Sequence, residues 1–321
     1  MTPEPGWLER VREGCASVAA QARLVSIDAA ALDRFAERLA SSAERAANDG
    51  SSLRVGDSET TVAFVLTFNA VNFGSGWHPH LVKVPGRSGS VTIMTRLRER
   101  FRTMGPFTAQ ELQVLTPRDC ASVFGQPFAP PVDALMTLFS RALGDLGTLL
   151  VTEYDGSYTA LVEAAGGSTE SMVDLLLAMP LFRDVATYRG RDVPILKRAQ
   201  IVPADLARAL DGEGWGSFAG LDRLTIFADN LVPHVLRLEG VLVFDPALVR
   251  SIEAGELIGA GSEAEVEIRA VAVEAAERLV ARLQARGCHL PAWELDHLLW
   301  HMGQDARYKA VPRHRARNPY Y

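Results

Sequence analysis

The chain has 321 residues, 48% hydrophobic and 22% charged, a composition that excludes wholesale disorder. Acids outnumber bases 39 to 33, and the formal charge of −6 argues against a protein that clings to long nucleic acid through many phosphate contacts. The length admits two ordinary domains or one large core.

In chain order, Met1 to Arg12 carries Glu4, Trp7 and Glu9 and no apolar core segment, so it does not read as a signal peptide. Residues 1–20 read as an N-terminal helix or arm. Ser26 to Asn48 is Ala-rich, with Leu32, Phe35, Leu39 and Ala43 at helical spacing, and Asn48-Asp49-Gly50 closes it. Thr61 to Phe68 is a continuous apolar run that periodicity leaves open between buried strand and buried helix. Short extended pieces are expected at Ser90 to Met94 and Val241 to Phe244. Ala129-Pro130-Pro131 breaks the chain before a helix over Val132 to Leu143. Ser168 caps a helix over Ser171 to Met179 that Pro180 ends, and Pro194 opens one over Ile195 to Leu210.

The clearest helix runs from Ser262 to Arg286, with Ser262 and Glu265 spaced as a capping box and Gly287 just past its end. The last runs from Pro291 to Met302, followed by Gly303. There is no repeat, no βαβ rhythm and no convincing linker. No run is read as approaching the 18 or so apolar residues of a membrane span. Cys15, Cys120 and Cys288 are widely spaced with no CxxC pair, so neither a disulfide framework nor a zinc knuckle is supported. Free thiols in a reducing cytoplasm are expected, with no membrane partner.

The signatures of phosphate-loop NTPases, dinucleotide enzymes, lipase-like hydrolases and common zinc proteases are absent. What remains is a set of polar clusters inside apolar segments. Asn69-Ala70-Val71-Asn72-Phe73-Gly74-Ser75-Gly76-Trp77 combines small residues that admit a ligand closely with flat aromatic faces. A tight turn packed with aromatics is the simpler explanation of the segment. Lys197 and Arg198 sit together in an apolar helix. Neighbours on a helix diverge by about 100°, so at most one should face inward. Such a base is usually a solvated helix face, but a buried one needs an anion such as a phosphate.

Asp229, within Phe227-Ala228-Asp229-Asn230, is either a helix cap or a fixed carboxylate that stabilises a developing cation. Asp245, before Pro246, is a weaker rival and a common N-cap. His297 and His301 share a helix face at i, i+4, a spacing that suits a metal, but no third ligand is evident. Asp296 and His301 can instead flank a ligand. Arg307, Lys309, Arg313, His314, Arg315 and Arg317 read as a solvated basic tail, and Arg96 to Arg102 as a similar basic stretch.

In order and spacing, NAVNFGSGW, LKRAQI, FADNLVP, GSEAEVEIRA, DHLLWH and the closing HRARNPYY resemble the queuosine salvage proteins, the queuosine 5′-phosphate N-glycosylases, from about Leu24 to Tyr321. The resemblance implies hydrolysis of an N-glycosidic bond to release queuine. It also implies a mainly α, single compact domain over 1–321, related to helix-hairpin-helix DNA glycosylases and carrying minor short strands. By motif, Asp229 falls on the catalytic carboxylate, Phe227 beside the base, and Asp296, His297 and His301 on base-recognition positions.

At His297 and His301 this sequence departs from the family's usual aromatic and acid, and Asn230 stands where Tyr is frequent. Lys197, then Arg198, is the expected phosphate ligand, and Asn72 and Trp77 are expected to contact substrate. No metal or cofactor is expected. The expected partner is the nucleotide substrate of a cytoplasmic monomer that holds no nucleic acid stably. The competing readings are a glycosylase acting on polymeric DNA or RNA, a non-catalytic carrier of the nucleotide, and a metallohydrolase using the two histidines.

Overall fold

A computed structural model describes residues 5–42 and 53–321. The first third forms α1 (Trp7–Ala19), β1 (Val25–Ile27), α2 (Ala29–Ser42), α3 (Ser58–Ala70) and α4 (Gly89–Met104). Then follow α5 (Ala109–Val114), α6 (Pro117–Val123), α7 (Val132–Glu153), α8 (Tyr158–Ala164) and α9 (Thr169–Leu176). The hairpin β2 (Val185–Tyr188) and β3 (Arg191–Pro194) leads into α10 (Lys197–Ala209). The rest is α11 (Val232–Leu238), β4 (Leu242–Phe244), α12 (Pro246–Glu253), α13 (Glu263–Gln284), α14 (Ala292–Met302) and α15 (Ala306–Lys309). The mainly helical class read from the sequence is what the structure shows. The expected close of the α2 helix at Asn48 to Gly50 lies outside the described residues.

The chain divides into two compact units, each assembled from separated segments. Unit 1 comprises 1–47, 184–197 and 220–317; unit 2 comprises 48–183, 198–219 and 318–321.

In unit 1, α13 is the central helix, packed against α1, α2 and β1. Its N-cap is Ser262, whose hydroxyl accepts the Glu265 N–H. Glu265 does not complete the expected box, because its carboxylate reaches back to the Gly261 N–H instead. Glu267 is fully buried and accepts the amides of Arg23, Leu24 and Val25 at 3.0, 2.7 and 3.2 Å, and the Tyr188 hydroxyl at 2.8 Å. Those bonds satisfy the carboxylate and tie the entry to β1 to the core. β1 pairs antiparallel with β4, in register Ser26 to Val243. The β2–β3 hairpin turns at Arg189 and Gly190, both with positive φ, as a two-residue hairpin loop of this twist requires.

Unit 2 is built on α3 and α7. Asp57 caps α3, and every residue from Thr61 to Ala70 is buried, which is why no periodicity was visible there. α7 packs against α5, α6, α3 and α8. By length and composition α7 is apolar enough to cross a membrane, which corrects the sequence reading that no run approaches that size. Here it is a core helix that buries Leu135, Phe139, Leu146 and Leu150. Ser90 to Met94, expected as extended, is the first turn of α4, where the Ser88 hydroxyl accepts the Val91 amide. Pro194, expected within a helical turn, instead ends β3.

Candidate functional site

In unit 1 the candidate carboxylate, Asp229, is half-buried just before α11. Its Oδ1 accepts the amides of Leu231 at 2.6 Å and Val232 at 3.1 Å. Both bonds fall on one oxygen, and Oδ2 takes no hydrogen bond among the described residues. The group is therefore fixed in orientation with one oxygen available; the N-cap position of α11 is Leu231, so Asp229 closes the turn before that helix rather than capping it as expected. Asp245, the rival, caps α12 by accepting the amides of Ala247 and Leu248 at 2.8 and 3.4 Å, and its helix-cap reading suffices.

The loop before Asp229 is held from two sides. Asp296, buried on α14, accepts the Phe227 amide at 2.8 Å. Arg269, buried on α13, donates through Nε to the Ala228 carbonyl at 2.9 Å. Its other two nitrogens make a bidentate pair with Asp184 at 2.9 and 2.6 Å. Both side chains are 2% exposed. Removing one partner of such a pair costs about 3–5 kcal/mol, because the remaining charge stays buried.

The Asp184 carboxylate also accepts the Lys197 amide at 3.1 Å, and its carbonyl accepts the amides of Ile195 and Leu196 at 2.9 and 3.1 Å. Leu196 has φ of 53°, a left-handed conformation unfavourable for leucine by about 1–3 kcal/mol. The turn that presents Lys197 is thus strained, and Asp184 holds it. Neither Asp184 nor Arg269 was singled out from the sequence. The signal available was that Arg269 lies inside the GSEAEVEIRA segment, but its partner, Asp184, is remote in sequence.

Phe227 is itself buried. His297 and His301 face each other with Nε2 to Nε2 at 3.0 Å, and the Trp300 ring packs edge-on to His301. That separation is within hydrogen-bonding distance. No three His, Cys, Asp or Glu side chains gather in metal-binding geometry among the described residues.

The basic C-terminal stretch is not simply a solvated tail. His314 is buried, Arg307 pairs with Glu239 at 2.7 Å, and Arg315 donates to the Gly255 carbonyl. Burial pulls the Arg313 guanidinium below its usual pKa, and the negative charge of nearby Asp229 opposes that shift. Burial also lowers His234 to about 4 and His314 to about 3, so both are neutral at physiological pH.

In unit 2, Lys197's neighbour Arg198 is among the largest fully buried side chains. Its guanidinium donates to the carbonyls of Ala70, Leu181 and, at 3.1 Å, Pro319. It lies over the rings of Phe73 and Phe182, with centroids at 4.5 and 4.7 Å. Lys197 is buried too, because α10 is covered on nearly every face; the expectation that only one of the two bases faces inward does not hold.

Asn72, half-buried, donates to Asn69 Oδ1 at 3.0 Å, and Asn69 donates to Asp205 at 2.9 Å. Trp77 is buried, with its amide on the Gly74 carbonyl. The amides of Gly74 and Ser75 donate to the Tyr321 carbonyl oxygen at 2.8 and 3.4 Å. Gly74 has φ of 103°, and a Cβ there would meet Leu135 Cδ1 at 2.5 Å, so glycine is required for shape at this position. Two clefts within unit 2, of about 500 and 480 Å³, are lined by other residues, among them Asp145 and Asp174 in one and Arg54 and Asp211 in the other.

A queuosine 5′-phosphate N-glycosylase/hydrolase of Sphaerobacter thermophilus is 36% identical over 311 residues, covering 95% of each chain. The Dictyostelium discoideum protein of the same name is 36% identical over 182 residues, covering 56% of this chain and 57% of its own. The Mus musculus protein is 32% identical over 209 residues, 62% of each chain. The model of the family described as queuosine salvage protein matches residues 53–321, and the chain belongs to that family.

Proposed function

We propose that this protein hydrolyses the N-glycosidic bond of queuosine 5′-phosphate, releasing queuine and ribose 5-phosphate. The observation that carries the reading is the Asp229 carboxylate, anchored through Oδ1 with Oδ2 available, in a chain of the queuosine salvage family. Cleavage breaks the C1′–N9 bond, and its electron pair leaves with the base. The ribosyl group becomes oxocarbenium-like, and an anion beneath C1′ lowers the barrier. Water adds its hydroxyl to C1′, and its proton goes to the departing base.

The base is a 7-deazaguanine with carbon in place of N7, so departure is assisted at its pyrimidine edge. Asp296 is the carboxylate assigned to recognition of that edge, where N1–H and N2–H₂ are donors; as an acceptor it supplies no proton, which the departing base takes from water. The same side chain fixes the Phe227 amide and so steadies the loop carrying Asp229. His297 and His301 are assigned to the polar side arm of the base. Lys197 is assigned to the 5′-phosphate. The Arg198 donors on backbone carbonyls support a structural role for that neighbour instead.

The test is incubation with queuosine 5′-phosphate and chromatographic detection of queuine and ribose 5-phosphate. Asp229→Asn should retain binding and lose about 10²- to 10³-fold in turnover, taking the removal of one oxyanion donor as a guide. Wild-type turnover in that variant would remove Asp229 from the mechanism. Binding without release by the wild type would mark a carrier, and release from intact tRNA but not from the mononucleotide a polymer enzyme.

A further inference from the structure

We propose that Asp184 and Arg269 are positioning residues, which together set Lys197 and Asp229 at the separation that a ribose 5-phosphate spans. The inference rests on the assignment of Lys197 to the phosphate and Asp229 to C1′.

The connection is short and consists of directional bonds. The Asp184 carbonyl takes the amides of Ile195 and Leu196, and its Oδ2 takes the amide of Lys197. One residue therefore holds three successive amides of the turn in which Leu196 is forced to positive φ. The same carboxylate receives the fork of Arg269, and the remaining Arg269 nitrogen holds the carbonyl of Ala228, the peptide that leads into Asp229. A planar guanidinium in a bidentate pair fixes orientation as well as distance, which a lysine ammonium does not.

A buried ion pair is a poor device for stability alone, since apolar residues of the same volume often serve as well. Its value here is geometric. The substrate presents a phosphate and an anomeric carbon at a spacing set by its own bonds. An anchor and a carboxylate displaced by about 1 Å from matching positions can cost on the order of 10²-fold in rate.

The kinetic signature separates positioning from folding. Arg269→Lys keeps the charge and loses the fork; we expect kcat for queuosine 5′-phosphate to fall about 10- to 100-fold with KM changed far less. Asp184→Asn loosens the Lys197 turn as well, so KM and the inhibition constant of ribose 5-phosphate should each rise about tenfold, on the scale of one lost charge-assisted hydrogen bond. Because either single variant can fail to fold, the Asp184→Leu, Arg269→Met double variant restores an apolar interior. It should melt above either single variant, short of the wild type because the Lys197 amide and the Ala228 carbonyl lose their partners, and still show both kinetic losses.

Lys197→Ala distinguishes this inference from the reading beneath it. If that variant leaves the inhibition constant of ribose 5-phosphate unchanged, the phosphate assignment fails, and the positioning of Lys197 fails with it. If Lys197→Ala raises the constant while folded Arg269→Lys and the double variant keep wild-type kcat and KM, the positioning role alone is overturned.

Discussion

Each unit buries one arginine completely, and the two solve the same problem differently. In unit 1, Arg269 is paired with a carboxylate and has one nitrogen left for the Ala228 carbonyl. In unit 2, Arg198 donates to carbonyls from three separate segments and lies against two phenyl rings. The first arrangement connects residues of opposite charge around a candidate catalytic carboxylate. The second closes backbone groups that would otherwise be buried without partners. Under the proposed function, the adjacent bases Lys197 and Arg198 divide between site and scaffold.

The sharpest way to break this comparison is to remove the scaffold arginine. Each carbonyl orphaned in the interior costs about 1–3 kcal/mol, so Arg198→Ala should cost more than about 3 kcal/mol, measured by denaturant unfolding. Lys197→Ala should instead act mainly on KM, with a smaller loss of stability than Arg198→Ala. If Arg198→Ala folds normally and only KM moves, the division is wrong and Arg198 belongs with the phosphate.

A smaller effect is expected at the loop beneath Arg198. Gly74→Ala would place a methyl against Leu135 at a positive φ, a combination of overpacking and backbone strain worth about 1–3 kcal/mol. A loss of activity without loss of stability in that variant would restore the view that the glycines of this loop serve a ligand.

How much of this was legible depends on how local the cause is. α13 was readable because Ser262 before it and Gly287 just past its end are signals within one segment. Ser90 to Met94 misled because Val91, Thr92 and Ile93 are β-branched, while the decisive residue, the Ser88 cap, lies just before them. The motif singles out Asp229, but not that one of its oxygens takes both the Leu231 and the Val232 amide. Asp184 was invisible: nothing around it marks a site, and its partners lie at 195 to 197 and at 269. The surroundings of Arg198 were not legible, because a guanidinium wrapped in carbonyls and one aimed at a phosphate look identical in sequence.

Acid should distinguish the two units as well. His234 and His314 of unit 1 are each 2% exposed, with folded pKa values pushed by burial to about 4 and about 3. The unfolded chain binds a proton to each near the ordinary histidine value of about 6.5. Below that pH the unfolded state takes up more protons than the folded one, so stability falls with falling pH down to the folded values. The slope approaches about 1.4 kcal/mol per pH unit for each histidine.

In unit 2 the half-buried Asp145 has the opposite sense. Burial raises its carboxyl above the usual range, so the folded state binds its proton first, and acidification relieves an unfavourable charge. Hydrogen exchange between pH 7 and pH 5 should therefore lose protection in α11 and around Tyr308 to His314 before it does so in α7. His314→Asn should flatten the fall of melting temperature over that range even though it lowers the temperature itself. Equal loss of protection in both units, with a slope unchanged in the variant, would show that the buried histidines do not set the acid response.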